Sequence, residues 1–316
     1  MLITPGQKKE RIDLYIANVV ENATRTRIQK LIKANMVTVN GNHVKSNYII
    51  NPNDVIQIKI PITPRPETAE PEDIPLDIVF EDEYLIVLNK PAGIVVHPSL
   101  GNYTGTLVNA LLNHTQKFGE FNEPVRPGIV HRIDKETSGL LLIAKDESTH
   151  SKLAKQFADH SIEREYWAVC WGIFKEKNGE VIGNITRSKK DRKVFTVGED
   201  EGKHAHTFYS VLEEYEFASL VKLKLKTGRT HQIRVHMNHI KHPIFGDPTY
   251  NGRRINYGSD LPKMKSRIDN LLKIITRQAL HAKTLGFIHP ATNQKVFFNS
   301  ELPLDMKELI ENLSSN

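Results

Sequence analysis

The sequence contains one cysteine, Cys170, in 316 residues. A single thiol excludes an internal disulfide and a cysteine-built metal cage. It sits in the apolar run Trp167-Ala168-Val169-Cys170-Trp171, where a buried, inert thiol is expected rather than a nucleophile. No apolar run approaches the roughly 20 residues that a membrane span needs. The start, Met1-Leu2-Ile3-Thr4-Pro5-Gly6, has no apolar core of signal-peptide length, so the expectation is a cytoplasmic chain with no membrane partner. The phosphate-cradling Gly-x-x-x-x-Gly-Lys-Ser/Thr run, the dinucleotide-binding Gly-x-Gly-x-x-Gly and the Gly-x-Ser-x-Gly elbow are all missing. Histidine is plentiful at 14, and His236, His239 and His242 are three apart. No acid stands in the metalloprotease arrangement and Lys241 lies among them, so no metal site is expected.

What is present is charge, unevenly spread. The net charge of +6 divides into +5 over residues 1–60, −7 over 61–83 and +8 over the remainder. Two basic bodies flanking an acidic connector suggest a polyanionic partner, since each neutralised phosphate releases counterions. A mildly basic soluble surface is the plainer alternative.

The connector, residues 61–73, holds four prolines and four acids and can form neither a helix nor a central strand. It marks a boundary between a small domain at 9–60 and a larger one at 74–316. In the small domain, Ile28, Leu31 and Ile32 have helical spacing, with Arg25, Arg27, Lys30 and Lys33 mostly off that stripe. Val37-Thr38-Val39-Asn40-Gly41 alternates into an Asn-Gly turn, a hairpin signal, and Asp54 to Ile60 alternates as a closing strand.

In the larger domain, Tyr84 to Lys90 and Gly139 to Lys145 read as buried strands, and Ser148 to His160 as a helix. Leu220 to Thr227 alternates as a half-exposed strand with Lys222, Lys224 and Lys226 on its open face. Leu261 to Leu285 contains helical spacing, and Leu304 to Leu313 closes with a helix. Strands and helices in irregular order predict an α+β fold with a mixed or antiparallel sheet.

Two polar segments stand out beside apolar core. One runs from Arg126 to Gly139 through His131-Arg132-Ile133-Asp134-Lys135-Glu136-Thr137-Ser138; the other is Thr227-Gly228-Arg229-Thr230-His231-Gln232-Ile233-Arg234-Val235-His236. Polar loops on a rigid scaffold are where catalytic groups sit. Taken singly, each could be a capped turn, with Asp134 a helix N-cap.

Together they resemble the RluA-type pseudouridine synthases: His-Arg-Ile-Asp-x-x-Thr-Ser-Gly followed by Thr-Gly-Arg-Thr-His-Gln-Ile-Arg-Val-His. Arg164-Glu165-Tyr166-Trp167-Ala168 matches that family's Arg-x-Tyr-x-Ala, and Asn89 to Pro98 its Asn-Lys-Pro-x-Gly-x-x-x-His-Pro. The resemblance spans about residues 74–300. Residues 9–60, a basic helix before Val-x-Val-Asn-Gly, resemble the S4 RNA-binding domain, with Pro52-Asn53-Asp54 where that family usually has Gly-Asp. Pro75 to Glu83, Phe245-Gly246-Asp247-Pro248 and Arg277 to Ala282 look closest to the large-subunit ribosomal RNA synthase D subgroup.

The resemblance implies a cofactor-free isomerisation of uridines in RNA, in which the base leaves the ribose, turns and rejoins through C5. Asp134 would be the essential carboxylate, acting as nucleophile or base on a flipped-out uridine, with Arg234 as its cationic partner. Tyr166 would stack on the flipped base, although its apolar neighbours also suit a core tyrosine. Arg132 would face the RNA, and Leu225 would form an apolar wall of the pocket. Arg25, Arg27 and Lys30, Arg229, and the basic loop carrying Arg187, Lys189, Lys190, Arg192 and Lys193 would grip phosphates. The expected partner is ribosomal RNA or a large-subunit precursor particle, bound by a monomer. Two rivals are a non-catalytic RNA-binding protein on the same fold and a hydrolase pairing Asp134 with Glu136.

Overall fold

The computed structural model describes residues 1–20, 23–59, 69–99, 101–115, 118, 121, 126–188, 191, 194–258 and 261–315. The chain forms two compact units, Met1–Arg65 and Pro66–Asn316.

The first unit packs two helices, α1 (Ile12–Val19) and α2 (Arg25–Lys33), on a small antiparallel sheet ordered β2-β1-β3. Its strands are β1 (Val37–Val39), β2 (Asn42–His43) and β3 (Ile56–Ile58). Thr24 caps α2 by accepting from the Arg27 amide, and Ile28, Leu31 and Ile32 point into a core with Ile12, Ile16, Val37 and Ile56. Asn40 and Gly41 both take positive φ, 50° and 81°, as the tight hairpin between β1 and β2 demands. Asn53 supplies the left-handed residue, φ 71°, before the buried Asp54. Asparagine tolerates that conformation better than most residues, so the departure from Gly-Asp leaves the turn intact.

The second unit is built on a ten-stranded sheet. Its strands are β4 (Ile78–Glu81), β5 (Leu85–Lys90), β6 (Ser138–Ala144), β7 (Glu163–Trp171), β8 (Asn178–Arg187), β9 (Phe195–Gly198), β10 (Lys203–Glu214), β11 (Ala218–Leu225), β12 (Leu280–Ile288) and β13 (Lys295–Asn299). The order is β4-β5-β6-β12-β7-β11-β10-β8-β9, with β13 also on β12. Every pair is antiparallel except β6 with β12, so the sheet is mixed, as expected of an α+β chain. The helices are α3 (Leu107–His114), α4 (Glu147–Ala158), α5 (Gln232–His239), α6 (Pro262–Ile274) and α7 (Leu304–Ser314).

Strand alternation divides the core. Ile86, Leu88, Leu141 and Ile143 join residues of α3, α6 and α7, while Leu85, Val87, Leu140 and Leu142 pack with Leu153 of α4. The helical spacing at 261–285 covers two elements: α6 stops after Ile274, and β12 begins at Leu280. The β-branched run Ile274-Ile275-Thr276 gives the helix little reason to continue. Of the connector, residues 61–68 lie outside the described residues. Residues 69–73 lie against α3, where Asn109 Nδ2 donates to the Glu70 carbonyl at 2.6 Å and Glu72 accepts from the Gly105 amide. Cys170 is buried in β7, and burial pushes its thiol pKa up.

Candidate active site

Asp134 does not cap a helix. The Thr137 amide donates to the Asp134 carbonyl at 3.0 Å, making a turn that feeds directly into β6. The turn is anchored from several sides. The Lys135 carbonyl accepts from Lys90 Nζ at 3.0 Å and from the Gly93 amide at 2.9 Å. The Glu136 carbonyl accepts from Arg277 Nη1 at 3.0 Å, and Gln278 Nε2 donates to Thr137 Oγ1 at 3.2 Å. Lys90 is fully buried, which pushes its pKa down to about 7, and its three carbonyl acceptors match the three N–H bonds of the charged form. Gly139 lets β6 lie against β12: its φ is +114°, and a Cβ there would stand 2.3 Å from the Ala282 carbonyl oxygen.

The second polar segment follows β11 into α5. Gln232 ties the turn together, accepting from Thr227 Oγ1 at 2.8 Å and the Arg229 amide at 2.9 Å while donating to the His206 carbonyl at 3.0 Å. This brings Arg234 to Asp134, 100 residues away in sequence. Arg234 Nη1 donates to Asp134 Oδ2 at 3.0 Å. Its other face donates through Nε and Nη2 to the two oxygens of Asp247, at 2.6 and 2.9 Å. Asp247 is fully buried and also accepts from the amides of Thr249 and Tyr250. Burial alone would lower the Arg234 pKa, but Asp247 and then Asp134 outweigh it and raise the pKa above the ordinary arginine value. The result is a buried acid, a buried guanidinium and a part-exposed acid in line, with only Asp134 presented to a cleft.

That cleft has a volume of about 510 Å³ and is lined by Asp134, Tyr166, Leu225, Arg132, Arg229 and Arg234 among others. Tyr166, on β7, is 6% exposed; burial pushes its phenol pKa up, so the ring stays neutral. Tyr166 belongs to the core cluster and also lines the cleft. Leu225 likewise lines the cleft. Asp134 and Glu136 both line a neighbouring cavity of about 300 Å³, whereas Glu136 is absent from the lining of the cleft that holds Tyr166. Among the described residues no group of three or more His, Cys, Asp or Glu could hold a metal ion.

The expected phosphate-gripping residues are dispersed. Arg132 and Arg229 are exposed at the cleft, with Arg229 Nε donating to the His204 carbonyl at 2.8 Å. Arg187 ends β8, its guanidinium 5.2 Å from the Phe195 ring centre. Lys189, Lys190, Arg192 and Lys193 lie outside the described residues. Arg25, Arg27 and Lys30 belong to the first unit, all exposed on α2. Arg25 is partly engaged there, donating to the buried Asp13 at 3.0 Å alongside Arg11 and Gln29.

Sequence reasoning passed over Asp247, His231, Tyr250 and Arg164. His231 takes a left-handed conformation, φ 56°, at the start of α5 and stands 3.9 Å from Asp134. It shares a 2.8 Å hydrogen bond with Tyr250, whose ring also carries Arg234 at 4.9 Å. A signal existed for Asp247: an acid directly after Ile244-Phe245-Gly246 is placed for burial, and a buried acid needs a partner.

Comparison with known proteins identifies the family. The family model described as RNA pseudouridylate synthase matches residues 84–239, and the S4 domain model matches residues 10–56. An uncharacterized RNA pseudouridine synthase of Chlorobaculum parvum is 46% identical, over 98% of this chain and 96% of its own. Ribosomal large subunit pseudouridine synthase D of Zymomonas mobilis is 44% identical, over 96% and 93% respectively. Among solved structures, human RNA Pseudouridylate Synthase Domain Containing 4 superposes with a TM-score of 0.58 at 26% identity, covering 75% of this chain and 92% of that one. With both units matched and nearly the whole length aligned to named synthases, this chain belongs to the RNA pseudouridine synthase family.

Proposed function

We propose that this enzyme converts uridines of large-subunit ribosomal RNA to pseudouridine, with Asp134 acting on the ribose of a flipped-out nucleotide. The observation that carries the reading is the line Asp247–Arg234–Asp134, which presents one carboxylate to a cleft that Tyr166 also lines. An anchored carboxylate can trap an electron-poor sugar carbon or take a proton from the ribose. Arg234 compensates its charge, because an uncompensated buried charge costs about 3–5 kcal/mol. Tyr166 offers a neutral aromatic face to a base, and Leu225 offers an apolar wall.

The substrate assignment draws on relatives named for the large ribosomal subunit, including the Zymomonas mobilis protein, and on the S4 unit. The enzyme acts as a monomer, on ribosomal RNA or a precursor particle, in the cytoplasm. No helix among the described residues is long and apolar enough to cross a membrane. Incubation with large-subunit ribosomal RNA followed by pseudouridine mapping tests the reading. Wild type should modify discrete uridines and Asp134→Asn none; equal signals from both would end it.

A further inference from the structure

Arg164 stands two residues before Tyr166 on β7, so both side chains leave the same face of the strand, and both line the cleft of Asp134. Its hydrogen bonding differs from that of Arg229 and Arg234 in the same cleft. Arg234 is shared between two acids, and Arg229 donates to a backbone carbonyl. Arg277, deeper in the unit, is bidentate to Asp305. Arg164 has no hydrogen bond or carboxylate partner among the described residues, and its Nε is buried with nothing to donate to.

The side chain is nevertheless held. Its guanidinium lies 5.1 Å from the centre of the Phe157 ring, in the last turn of α4. Phe157 is itself stacked on His131 at 4.6 Å, and His131 is fixed by accepting from the Leu142 amide at 2.9 Å. Stacking orients a planar guanidinium without using its N–H bonds. Gly228 leaves room beside it: a Cβ there would lie 3.3 Å from Arg164 Nη1.

Charge in the cleft points to the missing partner. Among the described residues Arg132, Arg164, Arg229 and Arg234 line it against one carboxylate, Asp134, whose Oδ2 accepts from Arg234. An oriented fork with free donors in a cation-rich cleft matches the planar, bidentate recognition of a phosphate. We propose that Arg164 is a phosphate-binding residue that grips an RNA phosphodiester flanking the uridine held over Tyr166 and Asp134. The proposal rests on the reading of the cleft as a uridine site.

The test is binding of a large-subunit ribosomal RNA transcript across a salt series, followed by fluorescence anisotropy. Wild type, Arg164→Gln and Arg164→Lys are compared, each also in an Asp134→Asn background so that turnover does not enter. Arg164→Gln should weaken binding about 10-fold and lower the slope of log affinity against log salt by about 0.7, the value of one phosphate contact on a single strand. Arg164→Lys should keep the slope and lose affinity by about 3-fold, since a point charge replaces a fork. An unchanged slope in folded Arg164→Gln overturns the proposal. Should that variant not fold, Arg164→Lys decides, and wild-type affinity in it overturns the bidentate contact. The two readings fail separately: pseudouridine formation with an unchanged slope removes Arg164 alone, whereas a lowered slope without pseudouridine formation removes the uridine reading and leaves a phosphate contact.

Discussion

Two groups of side chains at the cleft are held differently. In one, Asp134, Arg234 and Asp247 form a chain of hydrogen bonds, and the turn that carries Asp134 is pinned by Lys90, Arg277 and Gln278. In the other, Arg164 lies over the Phe157 ring with its buried Nε unbonded among the described residues, and Arg132 is exposed. Under the proposed function the difference separates two tasks. A group that reacts must be fixed before substrate arrives, because reorganisation during the reaction raises the barrier. A group that binds a polyanion must keep its donors free for it.

The comparison can be broken from the anchored side first. Asp247→Ala leaves Arg234 buried with only Asp134, and should destabilise the catalytic unit by about 3–5 kcal/mol, seen as a lower denaturation midpoint. A change under 1 kcal/mol would mean that Arg234 does not need its buried partner. Next in size is Gly139→Ala, which forces a side chain into a left-handed position against the Ala282 carbonyl. It should cost about 1–3 kcal/mol of stability and slow turnover, because Gly139 directly follows the Asp134 turn. Unaltered stability would show that β6 and β12 can part cheaply.

On the substrate side, Tyr166→Ala should weaken RNA binding by the stacking of one base, about 1–3 kcal/mol. Tyr166→Phe keeps the ring and should bind as wild type does; a turnover defect in it would assign a role to the hydroxyl. The smallest effect concerns His131, the ring beneath Phe157. Burial pushes its pKa down to about 3, whereas the unfolded chain protonates near 6.5. The unfolded state therefore binds more protons between these values, and stability is full above pH 6.5 and falls as pH drops below it. The loss approaches about 1.4 kcal/mol per pH unit. Calorimetry between pH 7 and 5 should show the midpoint falling, and replacing His131 with Gln should flatten that fall.

The fold was readable wherever a periodic pattern had one cause. The Asn40-Gly41 hairpin, the buried strands β5 and β6 and the closing helix α7 all follow from local pattern and turn chemistry. The pattern misled at 261–285, where apolar residues of a helix and of a buried strand run on with only Thr276 to Gln278 to separate them. At the site, Asp134 and Arg234 stand out in the sequence because they sit in polar segments beside apolar core, whereas Tyr166, among apolar neighbours, and the meeting of the three are implied by resemblance rather than spacing. Asp247 and Arg164 were not legible as functional. The importance of Asp247 comes from a partner 13 residues away in a fold the sequence does not display, and that of Arg164 from a buried Nε with no hydrogen-bond partner among the described residues.

RNA affinity and single-turnover pseudouridine formation, measured side by side in Asp134→Asn and Arg164→Gln, test this division of labour most directly. If one side reacts and the other binds, Asp134→Asn keeps wild-type affinity and loses turnover by about 10²–10⁴-fold or more. Arg164→Gln then loses affinity and salt dependence while saturating RNA restores most of its rate. Equal loss of affinity and of saturated rate in both variants would contradict that division.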